Sequence, residues 1–178
     1  MRAPIKTLLL IAFATVCLAA TETRVPRAAL VAMEDTINGK FRVNSPDPYD
    51  LLGTARGTYL DGYGVVFTFE MQLVTVSPPN PFKPVISPEE LAQIRDRKLR
   101  KLPQMKDVMR SMIAAAGTSL SGLPGNEHIA MEAVLWTYSW ENSRGMPKRI
   151  FMSAEKQKLL EAQANHTDLL QVIEEQER

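Results

Sequence analysis

Three aromatic side chains are the residues of this sequence best suited to binding a ligand: Trp136, Tyr138 and Trp140. They alternate along a predicted strand over residues 128–140, and a period of two places all three on one face. A row of flat rings can stack against a planar ligand or a sugar, or form the hot spot of a protein contact. The competing interpretation is that the row packs against a helix as ordinary core. We predict that Trp136, Tyr138 and Trp140 form a binding site.

Two carboxylates could carry out acid and base chemistry. Glu70 and Glu132 lie on two strands that we expect to share one sheet, so the side chains could approach each other. A catalytic pair needs surroundings that drive the two pKa values apart. The alternation around Glu70 places it on a polar face instead, which favours an ordinary solvated strand. A small cell-envelope hydrolase using carboxylates is therefore the alternative function, and no residue is predicted to be catalytic.

Nucleophile and metal motifs are weak in this chain. The segment 117–122 resembles the Gly-x-Ser-x-Gly elbow of serine hydrolases, but Ser121 stands where the second glycine is needed. His128 and His166 are far apart in sequence, and a zinc site usually gathers three or four nitrogen, sulfur or carboxylate ligands. The sequence therefore predicts no metal site and no cofactor.

The N-terminus has the composition of a secretory signal. Arg2 and Lys6 precede an apolar run over residues 7–18, and Ala19 and Ala20 follow it. The run is shorter than the ~20 residues that a membrane-spanning helix needs. We predict a signal peptide over residues 1–20, a single mature domain over 21–178, and a periplasmic or secreted location. An alternative is a lipoprotein acylated at Cys17, which Val16 just before the cysteine disfavours.

Charge and cysteine content limit the functions and the covalent links expected of the mature chain. The sequence has 21 Lys+Arg and 20 Asp+Glu. Removal of Arg2 and Lys6 with the signal leaves 19 against 20, a net charge of −1, which gives no general case for nucleic-acid binding. Cys17 is the only cysteine, so the mature domain is expected to contain no disulfide. No later apolar run approaches membrane-spanning length, so we expect no transmembrane segment after signal removal.

Hydrophobic periodicity and turn residues predict the order of elements. Apolar residues alternate with polar ones from Val65 to Leu73, and Asp61-Gly62 is typical of a tight hairpin turn. Ser87, Pro88 and Glu90 form a capping box at the start of a long helix that Pro103 is expected to break or kink. The predicted elements are a helix over 26–38, a hairpin of 55–60 with 63–74, a proline-rich connector over 77–88, helices over 88–101 and 103–116, strands over 128–140 and 148–152, a helix over 153–165 capped by Ser153, and a frayed tail over 174–178.

This order, α-ββ-α-ββ-α, predicts an α+β fold with a single antiparallel sheet of about four strands, built from two β-hairpins and flanked by helices on one face. The strand over 128–140 is apolar on both faces, with Ile129, Met131 and Leu135 opposite the aromatic row. Helices on one side would leave the other side open to water. We therefore expect a ligand, a second copy in a homodimer, or an envelope protein partner to cover it.

Three runs of the chain resemble segments of bacterial exported proteins of unknown function. They are Tyr-Leu-Asp-Gly-Tyr-Gly-Val-Val-Phe at 59–67, Tyr-Ser-Trp-Glu-Asn at 138–142 and Arg-Ile-Phe-Met-Ser-Ala-Glu-Lys at 149–156. The resemblance covers about a third of the mature chain and implies no activity. The sequence as a whole predicts an exported, non-catalytic binding or protein-interaction module.

Overall fold

The computed structural model describes residues 25–42, 48–82 and 84–178. The predicted signal peptide over residues 1–20 lies outside the described residues, and so does Cys17. None of the helices in the described segments is long and apolar enough to cross a membrane. The elements found there are α1 (Arg27–Arg42), β1 (Asp50–Leu51), β2 (Arg56–Leu60), β3 (Gly64–Gln72), α2 (Pro88–Ser119), β4 (His128–Leu135), β5 (Arg149–Glu155), α3 (Lys156–Ala164), a 3-10 turn (Leu169–Gln171) and β6 (Glu174–Glu177).

The predicted α+β class is confirmed, but the sheet is mixed and, in the described residues, has six strands where about four antiparallel ones were predicted. Strands β1 and β2 pair with one edge of β3, and the order continues through β4 and β5 to β6. The β3–β4 pair is parallel and the other pairs are antiparallel. The parallel pair arises because α2, with 32 residues, is about 48 Å long. It carries the chain back along the sheet before β4 begins.

The predicted hairpin of 55–60 with 63–74 is confirmed as β2 and β3. The strands are joined by a turn in which the Tyr63 N–H donates to the Leu60 carbonyl at 3.0 Å. Gly62 in this turn has a φ of 74°, a conformation that glycine adopts without a steric penalty. Local turn chemistry was therefore sufficient to predict this pair.

The strands present one face to the helices, and within the described ranges no helix packs on the other face. The helix-side residues of β3, β4 and β5 are buried, and they include Val65, Phe67, Phe69, Met71, Ile129, Met131, Ala133, Ile150, Met152 and Ala154. Helices α1, α2 and α3 pack against this side. We call the opposite side the open face; its residues include Arg56, Thr58, Val66, Thr68, Glu70, Glu132, Val134, Arg149, Phe151 and Gln176.

Strand β4 ends five residues earlier than predicted, so the expected aromatic strand face is wrong. Its partner β5 begins at Arg149, opposite Val134, and the Leu135 N–H already donates to the Lys148 carbonyl at 2.8 Å. Residues 136–148 then form a loop, which we call the aromatic loop. Trp136, Tyr138 and Trp140 lie in this loop and not along a strand.

The C-terminal part of the chain also differs from the prediction. Ser153 does not cap a helix but lies within β5, opposite Ala130. The tail expected to fray forms β6, which pairs with β5. Burial of Ile173 and ion pairs of Glu175 with α2 hold this strand against the rest of the fold.

Two predicted helix boundaries are wrong because packing overrides local signals. Helix α1 continues past Gly39 to Arg42, since the Phe41 ring packs on Tyr49 and Phe69 with ring centroids 5.5 Å and 4.9 Å away. Helix α2 runs unbroken through Pro103 to Ser119. A proline inside a helix costs about 3 kcal/mol. The buried stripe that includes Met105, Met109, Met112 and Ile113 offsets this cost.

The ion pairs between β6 and α2 predict a specific acid sensitivity. Burial raises the pKa of Glu175, but hydrogen bonds and charges from Lys106, at 2.8 Å, and Arg110, at 2.5 Å, outweigh it and bring the pKa below 4.5. A carboxyl whose pKa is lower in the folded state contributes stability above its unfolded pKa, and this contribution is lost as the pH falls through the folded pKa. We expect Glu175→Gln to cost about 1–2 kcal/mol at pH 7 and much less at low pH.

Urea unfolding of wild type and variant between neutral and acidic pH measures this difference. Glu174→Gln is the matched control, because Glu174 is the preceding residue of β6 and points away from α2. A Glu175→Gln penalty that stays constant down to pH values below 4.5 would contradict the prediction.

Candidate functional site

The three predicted binding residues do come together, but in the aromatic loop. The Trp136 ring meets the Tyr138 ring edge-on, with centroids 4.4 Å apart and an angle of 79°. Tyr138 stacks on Trp140 at 5.0 Å and 12°. Trp136 is 39% exposed, and the other two are half-buried. We call these three rings the aromatic stack.

The aromatic loop is held in place by helix α2 and strand β3. Lys98 of α2 forms a buried ion pair with Glu141, whose Oε1 also accepts from the Tyr138 N–H at 3.1 Å. The Arg95 guanidinium donates to the Arg144 carbonyl at 2.9 Å. The Trp136 N–H donates to the Met71 carbonyl at 2.9 Å. These contacts pre-form the aromatic stack, so a partner would not have to order it.

The open face of the sheet carries a second candidate site, a shallow groove that we call the sheet groove. One of its cavities has a volume of about 580 Å³ and is lined by Glu132, Lys148, Arg149, Phe151, Gln176 and Arg178. A second cavity of about 400 Å³ shares Glu132 and Arg149 and extends over Arg56, Thr68, Glu70 and Val134. The shared residues join the two cavities into one depression that crosses the sheet from β2 to β6.

The sheet groove has an excess of positive charge. Arg149 and Glu132 form an ion pair across the groove at 3.4 Å. Within residues 25–42, 48–82 and 84–178, no carboxylate forms an ion pair with Arg56, Lys148 or Arg178. The groove is therefore lined by more cations, Arg56, Lys148, Arg149 and Arg178, than carboxylates, Glu70 and Glu132, and a concave surface with an excess of one charge concentrates ligands of the opposite sign.

Backbone hydrogen bonds position two of these cations. The Arg178 carbonyl accepts from the Lys148 N–H at 2.7 Å and from the Arg149 N–H at 2.9 Å. The Arg178 N–H donates back to the Arg149 carbonyl at 3.0 Å. Lys148 and Arg178 are thus fixed side by side at one rim of the groove, which gives a bound anion two neighbouring donors.

The structure also brings the two predicted carboxylates into one cavity. Glu70 and Glu132 point to the open face from neighbouring strands, since Glu132 lies opposite Thr68 and Glu70 lies opposite Val134. Both line the second cavity of the groove. Glu132 forms an ion pair with Arg149, and this pair contributes to the shape and charge of the groove floor.

Tyr63 closes the other end of the open face. Its ring stacks on the His128 ring at 5.4 Å and 14°. Burial raises the pKa of the Tyr63 hydroxyl, a hydrogen bond with Ser153 lowers it, and the negative charge of Glu174 raises it. The phenol is therefore neutral at physiological pH and packs over Ser153, which is buried. The stacking contact with Tyr63 gives His128 a role in packing.

The structure places the other candidate motifs of the sequence, the segment 117–122 and His166, in ordinary structural positions. Ser119 is the last residue of α2, so the segment 117–122 is a helix end and not a nucleophile elbow. His166 is exposed in the turn after α3. Among the residues that the structure describes, no group of three His, Cys, Asp or Glu side chains could hold a metal ion.

Sequence reasoning missed the cations of the sheet groove. Lys148 and Arg149 begin a short predicted strand with no sign of a ligand, and Arg178 ends a segment that is expected to fray. One signal is present in the sequence: Arg149 and Phe151 alternate with the apolar Ile150 and Met152, which places the first two on a common face.

Comparison of the chain with known protein families, curated proteins and solved structures found no match. The resemblance to bacterial exported proteins therefore stays a prediction.

Proposed function

We propose that the chain is an exported, non-catalytic binding module whose ligand lies in the sheet groove. The ligand class is an organic anion: a carboxylate or phosphate attached to an apolar group. The observation that supports this proposal is an excess of cations in a groove that also exposes the apolar side chains of Phe151 and Val134, on a sheet face against which α1, α2 and α3 do not pack.

The floor and rim of the groove suit the two parts of such a ligand. Phe151 and Val134 are half-buried, so they offer apolar surface that a bound hydrocarbon or ring would cover. Lys148 and Arg178 stand at the rim and can donate to a carboxylate or phosphate. Hydrogen bonds to charged groups contribute about 1.5–3 kcal/mol each, which is enough to orient a small ligand.

The aromatic loop borders the same groove. Val134 lines the groove two residues before Trp136, and Lys148 is the last residue of the loop. Trp136, Tyr138 and Trp140 themselves do not line either cavity of the groove, so the aromatic stack is a candidate binding surface separate from it.

The placement of Glu70 and Glu132 in one cavity supports a second candidate, the small cell-envelope hydrolase. Such an enzyme needs one carboxylate as acid and the other as base. Arg149 lies beside Glu132, an arrangement better suited to holding a charge pair than to donating a proton. The binding module is the function that this geometry supports better.

Titration calorimetry with dodecanoate tests the proposal. We expect the wild-type protein to bind dodecanoate more tightly than inorganic phosphate, which lacks the apolar part, and than dodecanol, which lacks the charge. The double variant Lys148→Gln, Arg178→Gln should weaken dodecanoate binding at least about tenfold, equivalent to ~1.4 kcal/mol.

The matched control is Arg100→Gln, which removes an exposed cation of α2 that does not line the groove. Unchanged dodecanoate affinity in the double variant would exclude the rim cations as the binding site. Equal affinities for dodecanoate and inorganic phosphate would exclude an apolar contribution from the floor.

A further inference from the structure

The proline-rich connector, described over residues 77–82 and 84–87, exposes an unusual amount of apolar surface. Phe82 is 99% exposed and Val85 is 74% exposed. Apolar residues recur at every third position in two series that are exposed throughout: Pro78, Pro81 and Pro84, and Pro79, Phe82 and Val85. A single exposed apolar residue is ordinary, but a contiguous exposed apolar patch commonly marks a contact site.

The connector and the aromatic stack lie at the same end of the sheet. Because β3 and β4 are parallel, both strands end there: Met71 lies opposite Leu135. The connector follows β3, and the aromatic loop follows β4. The connector then leads into α2, whose first turns form a cavity of about 260 Å³ that is lined by Pro88, Leu91 and Arg95 together with Asn142 of the aromatic loop.

The chemistry of the two features is complementary. Proline-rich segments have little conformational entropy to lose and dock on surfaces lined by aromatic side chains. The aromatic stack is such a surface, pre-formed by the Lys98–Glu141 pair and with Trp136 partly exposed. The Phe82 side chain is almost fully exposed to solvent within one copy, so among the described residues it does not cover the stack of its own chain.

We propose that the connector of one copy packs on the aromatic stack of a second copy, with Phe82 and Val85 as its anchors. Since each copy carries both features at one end, a two-fold axis at that end makes the contact twice. With two anchors in each copy, we expect the contact to bury less than a standard interface of ~1,600 Å². The homodimer is therefore weak and forms in a concentration-dependent way.

Analytical ultracentrifugation of the purified protein tests this inference, in a concentration series that reaches the millimolar range. We expect a reversible monomer–dimer equilibrium. Phe82→Ser should raise the dissociation constant about tenfold or more, because Phe82 is an anchor of both contacts. Phe82 is exposed, so this substitution leaves folding intact. Val31→Ser, at an exposed position of α1 (39%), is the matched control and should dimerise like wild type.

Site-specific photocrosslinking identifies the surface that Phe82 meets. The substitution Phe82→p-benzoylphenylalanine should yield crosslinked dimers in which position 82 is joined to a peptide containing residues 136–140. A protein that stays monomeric throughout the concentration series overturns the inference. So does a Phe82→Ser variant that dimerises like wild type, or a crosslink within one chain or to another region.

Discussion

Replacing Gly64 by alanine is expected to cost about 4 kcal/mol or more, a large part of the ~5–15 kcal/mol by which a typical domain is stable. Gly64 has a φ of 130°, a backbone conformation that residues other than glycine rarely adopt. A Cβ atom at this position would lie 2.0 Å from the His128 carbonyl oxygen and 2.7 Å from the His128 nitrogen. Both obstacles are backbone atoms, so no side chain can move aside to relieve the clash.

The clash is expected to reduce folding stability strongly because of where Gly64 lies in the sheet. Gly64 and His128 are the first paired residues of the parallel β3–β4 ladder, and the Tyr63 carbonyl accepts from the His128 N–H at 2.7 Å. Separating the two backbones there would disturb the central pair of the sheet, which also places Glu70 and Glu132 in the groove.

Urea unfolding of Gly64→Ala checks this prediction. The matched control is Gly39→Ala: Gly39 lies in α1, and a Cβ atom there would have nothing within 4 Å, so alanine should stabilise the helix by up to about 1 kcal/mol. A Gly64→Ala protein with the wild-type unfolding midpoint would show that the strands can separate at this point at little cost.

Breaking the buried ion pair between Lys98 and Glu141 is expected to have the second largest effect. The side chains are 3% and 4% exposed, and the pair joins α2 to the aromatic loop. Removing one partner of a buried pair leaves an uncompensated charge and typically costs about 3–5 kcal/mol. Glu141→Gln keeps a side-chain oxygen for the Tyr138 N–H, so the loss reflects the missing charge.

A double-mutant cycle measures the pair directly. Lys98→Met alone and Glu141→Gln alone should each be strongly destabilising, and the double variant should be less destabilised than the sum of the two. Glu132→Gln is the control, because its partner Arg149 is 60% exposed and exposed pairs contribute less than about 1 kcal/mol. Additive effects of the two substitutions would mean that Lys98 and Glu141 do not stabilise each other.

Tryptophan fluorescence provides a second measurement on the same variants. Trp136 and Trp140 are the two tryptophans of the chain and lie in the loop that Glu141 holds. We expect Glu141→Gln to shift the emission towards that of solvated tryptophan under conditions where the protein is still folded. Glu132→Gln should leave the emission unchanged.

Local sequence patterns alone determined several elements of this protein. The alternation from Val65 to Leu73 and the Asp61-Gly62 turn predict the β2–β3 hairpin, because strand and turn preferences act between neighbouring residues. Ser87 caps α2 as predicted, with its Oγ accepting from the Glu90 N–H at 3.2 Å. The α+β class follows from the same short-range signals.

Other features depended on contacts between residues far apart in sequence. The acidic run of β6 has little intrinsic strand preference, and it forms a strand because Lys106 and Arg110 of α2 bind Glu175. Lysine side chains on a helix are ordinarily solvated, yet Lys98 and Lys101 are both buried. Lys98 meets Glu141, and Lys101 lies 4.1 Å from the centre of the Tyr49 ring.

The two candidate sites also differ in how far local sequence predicts them. The sequence singled out Trp136, Tyr138 and Trp140 by residue type, but their grouping in a loop depends on where the pairing of β4 with β5 stops and on the Lys98–Glu141 pair. The sheet groove draws Arg56, Lys148 and Arg178 from parts of the chain that lie far apart in sequence. No local pattern connects such residues, because only the strand order of the folded sheet brings them to one face.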